Sequence, residues 1–286
     1  MNILISSAGG PAAIGLIKSI RDLNQNHNII SIDCDNMAAG LFLSDKYDVI
    51  PPIKELSNPW DIIKDIIIKN NINCILPVDE AVLGLISRHK KYLLDSNIKV
   101  WISPLETIKL CNNKFKFWKK LHKKFNMPFI IPNVLQKPDE SSGARGVKLI
   151  SPPEGNHLWE YLPGEEYTVD VFCDHKSISL GTIVRKRNGI KAGISVKGSI
   201  IRHKYLENES EKLCKFLKIQ GPCCIQWKED KNGKPKLIEC NPRLGGGTYF
   251  ATLAGVNPAE IYLNNIKTKQ FPREIKVTRY FEEVII

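Results

Sequence analysis

The sequence has no CxxC cysteine pair. Its eight cysteines stand at positions 34, 74, 111, 173, 214, 223, 224 and 240, and disulfide or zinc frameworks depend on short, repeated spacings. Several sit inside apolar runs, as Cys74 does in NINCILPV. They read as reduced thiols packed as small hydrophobes, which suits a cytoplasmic protein. No window approaches the ~20 apolar residues that cross a bilayer. The opening MNILISSAGG has neither a basic leader nor the apolar length of a signal peptide, so no membrane partner is expected. Also missing are GxGxxG, the GxxxxGK[ST] phosphate loop and the HRD and DFG signatures of protein kinases. The cluster SSAGGPAAIG places Gly9, Gly10 and Gly15 at the wrong spacing for a dinucleotide fingerprint, although Asp33 follows Gly15 by 18 residues. A nicotinamide-dependent oxidoreductase is therefore the weaker alternative, and a tight turn in an α/β sheet accounts for the glycines.

What is present begins with size and charge. The 286 residues are roughly twice a modal domain, which favours two lobes. Lysine and arginine exceed aspartate and glutamate by 41 − 30 = 11, a balance that favours anionic partners such as nucleotides or phosphates over a neutral ligand. A solvated lysine surface is the bland explanation. The most basic run, KFKFWKKLHKKF, alternates cations with aromatics, yet Phe115, Trp118 and Phe125 at near-helical spacing read as the buried face of an amphipathic helix. Nucleic acid is accordingly not expected as the main partner, and His122 is expected at the surface.

Periodicity divides the chain. Up to residue 103, compact apolar runs (NILISS, NIISID, NCILPV, IKVWI) alternate with helical-period segments (AAIGLIKSIRDL, PWDIIKDIIIKNN, EAVLGLISRHKKYLL). That alternation predicts a parallel sheet covered on both faces, with Ser6–Gly10, Asp33 and Asp79 along the edge where such sheets bind ligands. A basic helical stretch follows Pro104, then two short strand candidates joined by DESSGAR. From EEYTVDVF onward the runs read as antiparallel: SISLGTIVRKR, a helix over 206–218, CCIQWKED and KLIECNPR. Asn232-Gly233 between the last two is a hairpin signal.

Three clusters carry chemistry. Lys137 through Val147 (KPDESSGARGV) joins small residues to two cations, so backbone N–H groups could approach phosphate oxygens there; a plain hairpin loop fits equally well. Gln226 and Glu239 fall on adjacent strands of the Asn-Gly hairpin, and Glu239 and Asn241 share a face. Three oxygen ligands thus converge, as a hard cation requires, with Arg243 beside them to neutralise a phosphoryl group. Lastly, Arg185, Lys186 and Arg187 stand on one strand, where a cation could clamp a carboxylate or simply be solvated, and Gly245 to Gly247 could let a small substrate lie against backbone.

The order of these segments resembles the ATP-grasp superfamily. The resemblance runs from Asn113-Lys114 through Lys137-Pro138, the Ser141–Gly146 loop and Glu160-Tyr161-Leu162-Pro-Gly-Glu-Glu166-Tyr-Thr-Val-Asp170 to Glu239-Cys-Asn-Pro-Arg243. The similarity is greatest to the carbamoyl phosphate synthase large-subunit-like branch and related carboxylate–amine ligases. It implies an α/β pre-ATP-grasp domain over 1–103, a linker helix and small lid lobe over 104–160, and a large α+β grasp lobe over 161–286. Only 22 residues separate Lys114 from Lys137 and 13 separate Gly146 from Glu160, so against the family pattern either the lid lobe is reduced or the chain skips segments near Asn133 and near Pro152.

By the same resemblance, Lys114 and Lys137 would contact ATP phosphates, with Ser141, Ser142, Gly143, Arg145 and Gly146 closing over them. Glu160, Tyr161 and Leu162 would read adenine, partly by backbone, and Glu166 would hold the ribose. Gln226, Glu239 and Asn241 would ligate one or two Mg²⁺, or Mn²⁺. Arg243 and Lys137 would act in catalysis, and Arg185, Arg187, Gly245 and Gly246 would meet the substrate. The implied reaction joins a small carboxylate, such as an amino acid, to an amine through an acyl phosphate, in a homodimer. A silent nucleotide-binding or regulatory protein that keeps the fold is the alternative.

Overall fold

Up to residue 100 the alternation expected from the sequence is kept, with a short helix over Ala39–Phe42 and a strand over Lys46–Val49 that it did not foretell. In the computed structural model, which describes residues 1–131, 134–136, 148–153, 156–268 and 272–285, β1 (Asn2–Ser6), α1 (Pro11–Arg21), β2 (Asn28–Asp33), α2 (Ala39–Phe42) and β3 (Lys46–Val49) come first. Then follow α3 (Pro59–Lys69), β4 (Cys74–Leu76), α4 (Glu80–Arg88), α5 (Lys90–Asp95) and β5 (Lys99–Val100). The five strands pair in parallel in the order β3-β2-β1-β4-β5. Prolines open α1 and α3, where the missing N–H would have no helical partner anyway. Asp79 caps α4 by accepting the Val82 N–H at 3.0 Å. The expected single helix over 80–94 divides at His89. Both faces of the sheet are apolar: Leu4, Ile30, Ile32 and Ile75 pack with Ile63, Ile67 and Ile86, while Ile3, Ile5 and Ile29 pack with Leu16, Ile17 and Ile20.

Next come α6 (Leu105–Cys111) and α7 (Lys114–Leu121), and here one expectation is corrected. Asn113 breaks the helical run, its side chain accepting the Lys116 N–H at 2.9 Å. That cap sets a new phase in which Phe117 and Leu121, four residues apart, are buried, whereas Phe115 is 42% exposed. Trp118 is half-buried, stacked on His122 with ring centroids 4.2 Å apart.

Short ribbons follow: β6 (Ile130–Ile131) pairs with β9 (Leu158–Trp159), and β7 (Val134–Gln136) with β8 (Lys148–Ile150). The rest is a six-stranded antiparallel sheet in the order β14-β13-β10-β11-β12-β15. It consists of β10 (Glu166–Cys173), β11 (Ser179–Lys191), β12 (Ile194–Ile201), β13 (Gly221–Glu229), β14 (Pro235–Asn241) and β15 (Ile275–Thr278). Helix α8 (Lys204–Leu217) precedes β13, and α9 (Tyr249–Leu253) and α10 (Pro258–Asn264) precede β15. At the Asn232-Gly233 turn, Gly233 has φ +74° and the Asp230 carboxylate accepts the N–H groups of Asn232 and Lys234 at 2.9 and 3.0 Å.

The two faces of this sheet differ. Tyr167, Val169, Val171, Val184, Ile225, Trp227 and Leu237 pack under Leu206, Leu213 and Leu217 of α8 and Phe117 and Leu121 of α7. On the opposite face, Phe172, Ile183 and Ile200 join the core of the N-terminal sheet through Phe250, Ala251 and Tyr262. Higher on the same face the residues become polar. The changeover is marked by a buried ion pair: Arg185 donates to Asp170 through Nε at 2.5 Å and Nη2 at 3.2 Å, with both side chains at most 3% exposed. The turn 245–247 lies over this guanidinium. A Cβ at Gly247 would stand 2.2 Å from Arg185 Nη1, and one at Gly245 2.7 Å from Cys224 Sγ. Among the described residues no helix is long and apolar enough to cross a membrane.

Two stability predictions follow from these contacts. Asp170→Asn removes the counter-charge of a buried guanidinium and should cost about 3–5 kcal/mol in urea unfolding; a loss near zero would mean that Arg185 finds solvent. A Cβ at Gly40 would fall 2.1 Å from the Ala8 carbonyl oxygen, whereas one at Gly84, inside α4, meets nothing within 4 Å. Gly40→Ala should therefore lower the unfolding midpoint, by about 1–3 kcal/mol, and Gly84→Ala raise it, by about 0.5–1 kcal/mol. Shifts of the same sign would contradict this packing.

Candidate functional site

The polar part of the large sheet gathers most of the singled-out residues. Register places Gln226 opposite Glu239, Cys224 opposite Asn241, and Thr168 opposite both Gln226 and Arg185. Period-two alternation then puts Glu166, Thr168 and Asp170 on one face with Arg185, Arg187, Gln226, Glu239 and Asn241. Glu239 stands at the centre of one group. Its Oε1 accepts from Asn241 Nδ2 at 3.0 Å, and its Oε2 lies 3.7 Å from Lys114 Nζ, which reaches across from the start of α7. The Lys114 side chain is 73% exposed, free to turn toward an incoming anion. A second group is held by Arg187, whose Nη1 donates to the Glu166 carboxylate and lies 3.5 Å from Gln226 Oε1, while Nε donates to Ser195 Oγ at 3.0 Å. Lys228 adds a second cation 3.6 Å from Glu166.

Arg243 follows β14. Its guanidinium donates to the Leu244 carbonyl at 3.2 Å and to Glu80, at the start of α4, at 3.3 Å. That links the large sheet to the C-terminal edge of the N-terminal strands through a part-exposed pair, the kind that breaks at small cost. Gly246 abuts α1: a Cβ there would lie 3.1 Å from Pro11 Cγ.

The remaining singled-out residues have other duties. The Glu160 carboxylate receives Lys236 Nζ at 2.6 and 2.7 Å and the Phe129 N–H at 3.2 Å, and its own N–H donates to the Phe129 carbonyl. It pins the β6–β9 ribbon to β14. Leu162 is buried, and Tyr161 is 83% exposed. Arg185 corrects the expectation of a substrate clamp, because Asp170 and the glycine turn enclose it. Lys137, Ser141, Ser142, Gly143, Arg145 and Gly146, like Asn133, lie outside the described residues.

Among the described residues, no group of three His, Cys, Asp or Glu is arranged to hold a metal ion. The set Glu239, Gln226 and Asn241 offers one carboxylate and two amides, all oxygen donors, which fits a hard cation that keeps waters and phosphate oxygens for its other positions. Burial, with the Asp170 charge close by, pushes the Cys224 thiol up to about 12. It is a neutral packing group rather than a nucleophile. At the edge of the N-terminal sheet, Asp33 accepts the N–H groups of Gly9 and Asp35 at 2.8 and 3.0 Å, so its carboxylate serves the turn itself. Two open grooves, of about 550 and 420 Å³, lie elsewhere, beside β3 and beside the start of β11.

Sequence reasoning gave Asp170 no role of its own and missed Lys228, Lys236 and Glu80. The first was within reach: Asp170 shares a strand face with Glu166 in EEYTVDVF. The others depend on contacts between distant segments, such as the 76 residues separating Glu160 from Lys236.

Comparison with known proteins gives a partial family match for each half of the chain. Residues 157–284 match the family described as ATP-grasp in the biosynthetic pathway with Ter operon, and residues 3–101 match the PylC-like N-terminal domain. No curated protein matches by sequence. Solved structures with the same fold include an L-amino acid ligase from Bacillus licheniformis (16% identity, TM-score 0.63, covering 92% of this chain and 73% of that one). Another is the biotin carboxylase domain dimer of the Hydrogenobacter thermophilus 2-oxoglutarate carboxylase in complex with MgADP, ADP and bicarbonate (13%, 0.65, 95% and 71%). A third is an ATP-grasp superfamily protein from Archaeoglobus fulgidus (15%, 0.63, 97% and 92%). The parallel N-terminal sheet followed by an antiparallel sheet is thus the fold of these ATP-grasp structures, with residues 157–284 matched by an ATP-grasp family and residues 3–101 by a PylC-like N-terminal domain.

Proposed function

We propose that the protein is an ATP- and Mg²⁺-dependent carboxylate–amine ligase acting on a small carboxylate such as an amino acid. The observation that carries this reading is the meeting of Glu239, Asn241, Gln226 and Lys114 on one polar sheet face, in a chain of ATP-grasp fold. Glu239 and the amide oxygens of Gln226 and Asn241 would hold the Mg²⁺, or Mn²⁺, which supplies charge neutralisation to the phosphates. Lys114, together with Lys137 and the 141–146 loop, would meet the triphosphate. The Glu160–Leu162 segment would form the adenine wall through its backbone, since the Glu160 carboxylate is occupied by Lys236. Glu166 would face the ribose from its place beside Arg187 and Lys228. The corresponding functional units are 1–103, 104–160 and 161–286, and a homodimer is proposed, as in the dimeric Hydrogenobacter thermophilus domain.

In this reaction a carboxylate oxygen attacks the γ-phosphorus, the β–γ bridging P–O bond breaks, and ADP leaves. The amine nitrogen then attacks the acyl carbon, the bond to the phosphate oxygen breaks, and inorganic phosphate departs as the nitrogen loses a proton. Arg243 would release Glu80 and stabilise the transferring phosphoryl group. The chain's other residues align reactants rather than form a covalent intermediate, in keeping with the inert Cys224. Gly245 and Gly246 would let the substrate approach the backbone, and Arg187 would border it.

ADP release measured with Mg-ATP against a panel of carboxylates and amines should reveal one stimulating pair. Glu239→Gln should then lose at least about 10–100-fold in turnover, the range seen when groups supporting a metal are removed, with unchanged unfolding. Wild-type turnover in that variant would overturn the metal assignment. No stimulation by any pair, together with no thermal shift on adding Mg-ATP, would favour a nucleotide-free regulatory role.

A further inference from the structure

One cation near the glycine turn has no ion-pair partner among the described residues. Arg279, just past β15, is tied to the sheet by its N–H, which donates to the Val196 carbonyl at 2.9 Å. Its side chain turns back over the 245–247 turn, where Nη2 donates to the Gly246 carbonyl and the guanidinium lies 5.3 Å from the centre of the Phe250 ring. The Nε atom is buried without a hydrogen-bond partner among the described residues. The charge acting on it is another guanidinium, that of Arg185, whose own charge is already met by Asp170. Burial first, and Arg185 second, pull Arg279 below the usual arginine range. The residue as a whole is only half-buried, so a ligand can reach it.

A half-buried arginine beside a second arginine costs stability unless an anion joins it. Gly246, whose carbonyl receives Arg279, also abuts Pro11 at the start of α1. That eleven-residue helix begins at Gly10 without a side-chain cap, so no N-cap side chain meets its first N–H groups beyond Pro11. The turn itself has no side chains from 245 to 247. A guanidinium without an ion-pair partner among the described residues and an uncapped helix start therefore adjoin one bare stretch of backbone, beyond Arg243 on the chain and separate from the Glu239 group.

We propose that Arg279, the Gly245–Gly247 turn and the start of α1 bind a non-reacting carboxylate of the substrate. The substrate is then a small acid carrying a second anionic group besides the carboxylate that is activated, a dicarboxylate or its equivalent. The assignment of this anion to a substrate rests on the ligase reading, whereas the anion site itself does not. Arg279 acts by binding and takes no part in bond making.

The test is isothermal titration of the full chain at low ionic strength with succinate, and with succinamide as the uncharged control. Wild type should bind succinate and not succinamide. Arg279→Gln should weaken succinate at least about tenfold, as expected for loss of a charge-assisted, bidentate contact, while keeping its Mg-ATP thermal shift. Arg279→Lys, which keeps the charge but not the fork, should fall between; if the glutamine variant fails to fold, the lysine variant alone decides. No succinate binding by wild type, equal binding by the variants, or a change confined to the unfolding temperature would overturn the proposal. Arg279-dependent succinate binding without any Mg-ATP shift would support the anion site and sink the ligase reading alone. An Mg-ATP shift with Arg279-independent succinate binding would do the reverse.

Discussion

The buried Asp170–Arg185 pair governs the arrangement of everything around it. Two charges removed from water inside a sheet are tolerated only while each meets the other with good geometry, and here the carboxylate takes two guanidinium donors. The pair marks where the inner face of the large sheet stops being core and becomes a polar shelf. Its guanidinium also forms the floor on which the glycine turn rests, close enough that a side chain at Gly247 would collide with it. Arg243 enters that turn and Arg279 lies over it. Asn241 and Glu239 end the strand that leads into it. A shift of the pair would therefore move the whole set of polar groups together.

Around that floor, the charges fall into groups of different balance. Glu239 and Asn241 share one short hydrogen bond and a loosely held lysine. Arg187 and Lys228 converge on Glu166, and Lys236 on Glu160. Carboxylates paired this way hold their orientation without a ligand, which lets a site bind charge without first reorganising. Lys114 and Arg243 are the looser members, each in a long contact at an exposed edge, and these are the cations whose partners exchange at least cost.

Much of this was legible in the chain. Apolar runs alternating with helical segments forecast the parallel sheet, because strands buried on both faces leave no choice of polarity. Asn232-Gly233 fixed a hairpin whose register brings Gln226 opposite Glu239, and strand period put Asn241 beside it. What escaped depended on registers and phases set far away. Arg185 and Arg187 are two residues apart on one face, and the carboxylates of the neighbouring strand decide their partners, Asp170 for the first and Glu166 for the second. Phe117 replaces Phe115 in the core because Asn113 starts a new helix. Glu160 has the character of a ligand-reading hinge until Lys236, on another strand, is seen to hold it. Arg279 gives no local signal at all, since its partner is a backbone carbonyl in the turn.

The central claim is that a metal–nucleotide complex sits against the 226–241 hairpin. Paramagnetic broadening of backbone amide signals by Mn²⁺-ADP tests it directly. Broadening centred on residues 226 and 239–241, weaker at Glu166 and Lys114, is the result predicted. Broadening centred instead on the groove beside β3, or none anywhere, would contradict it.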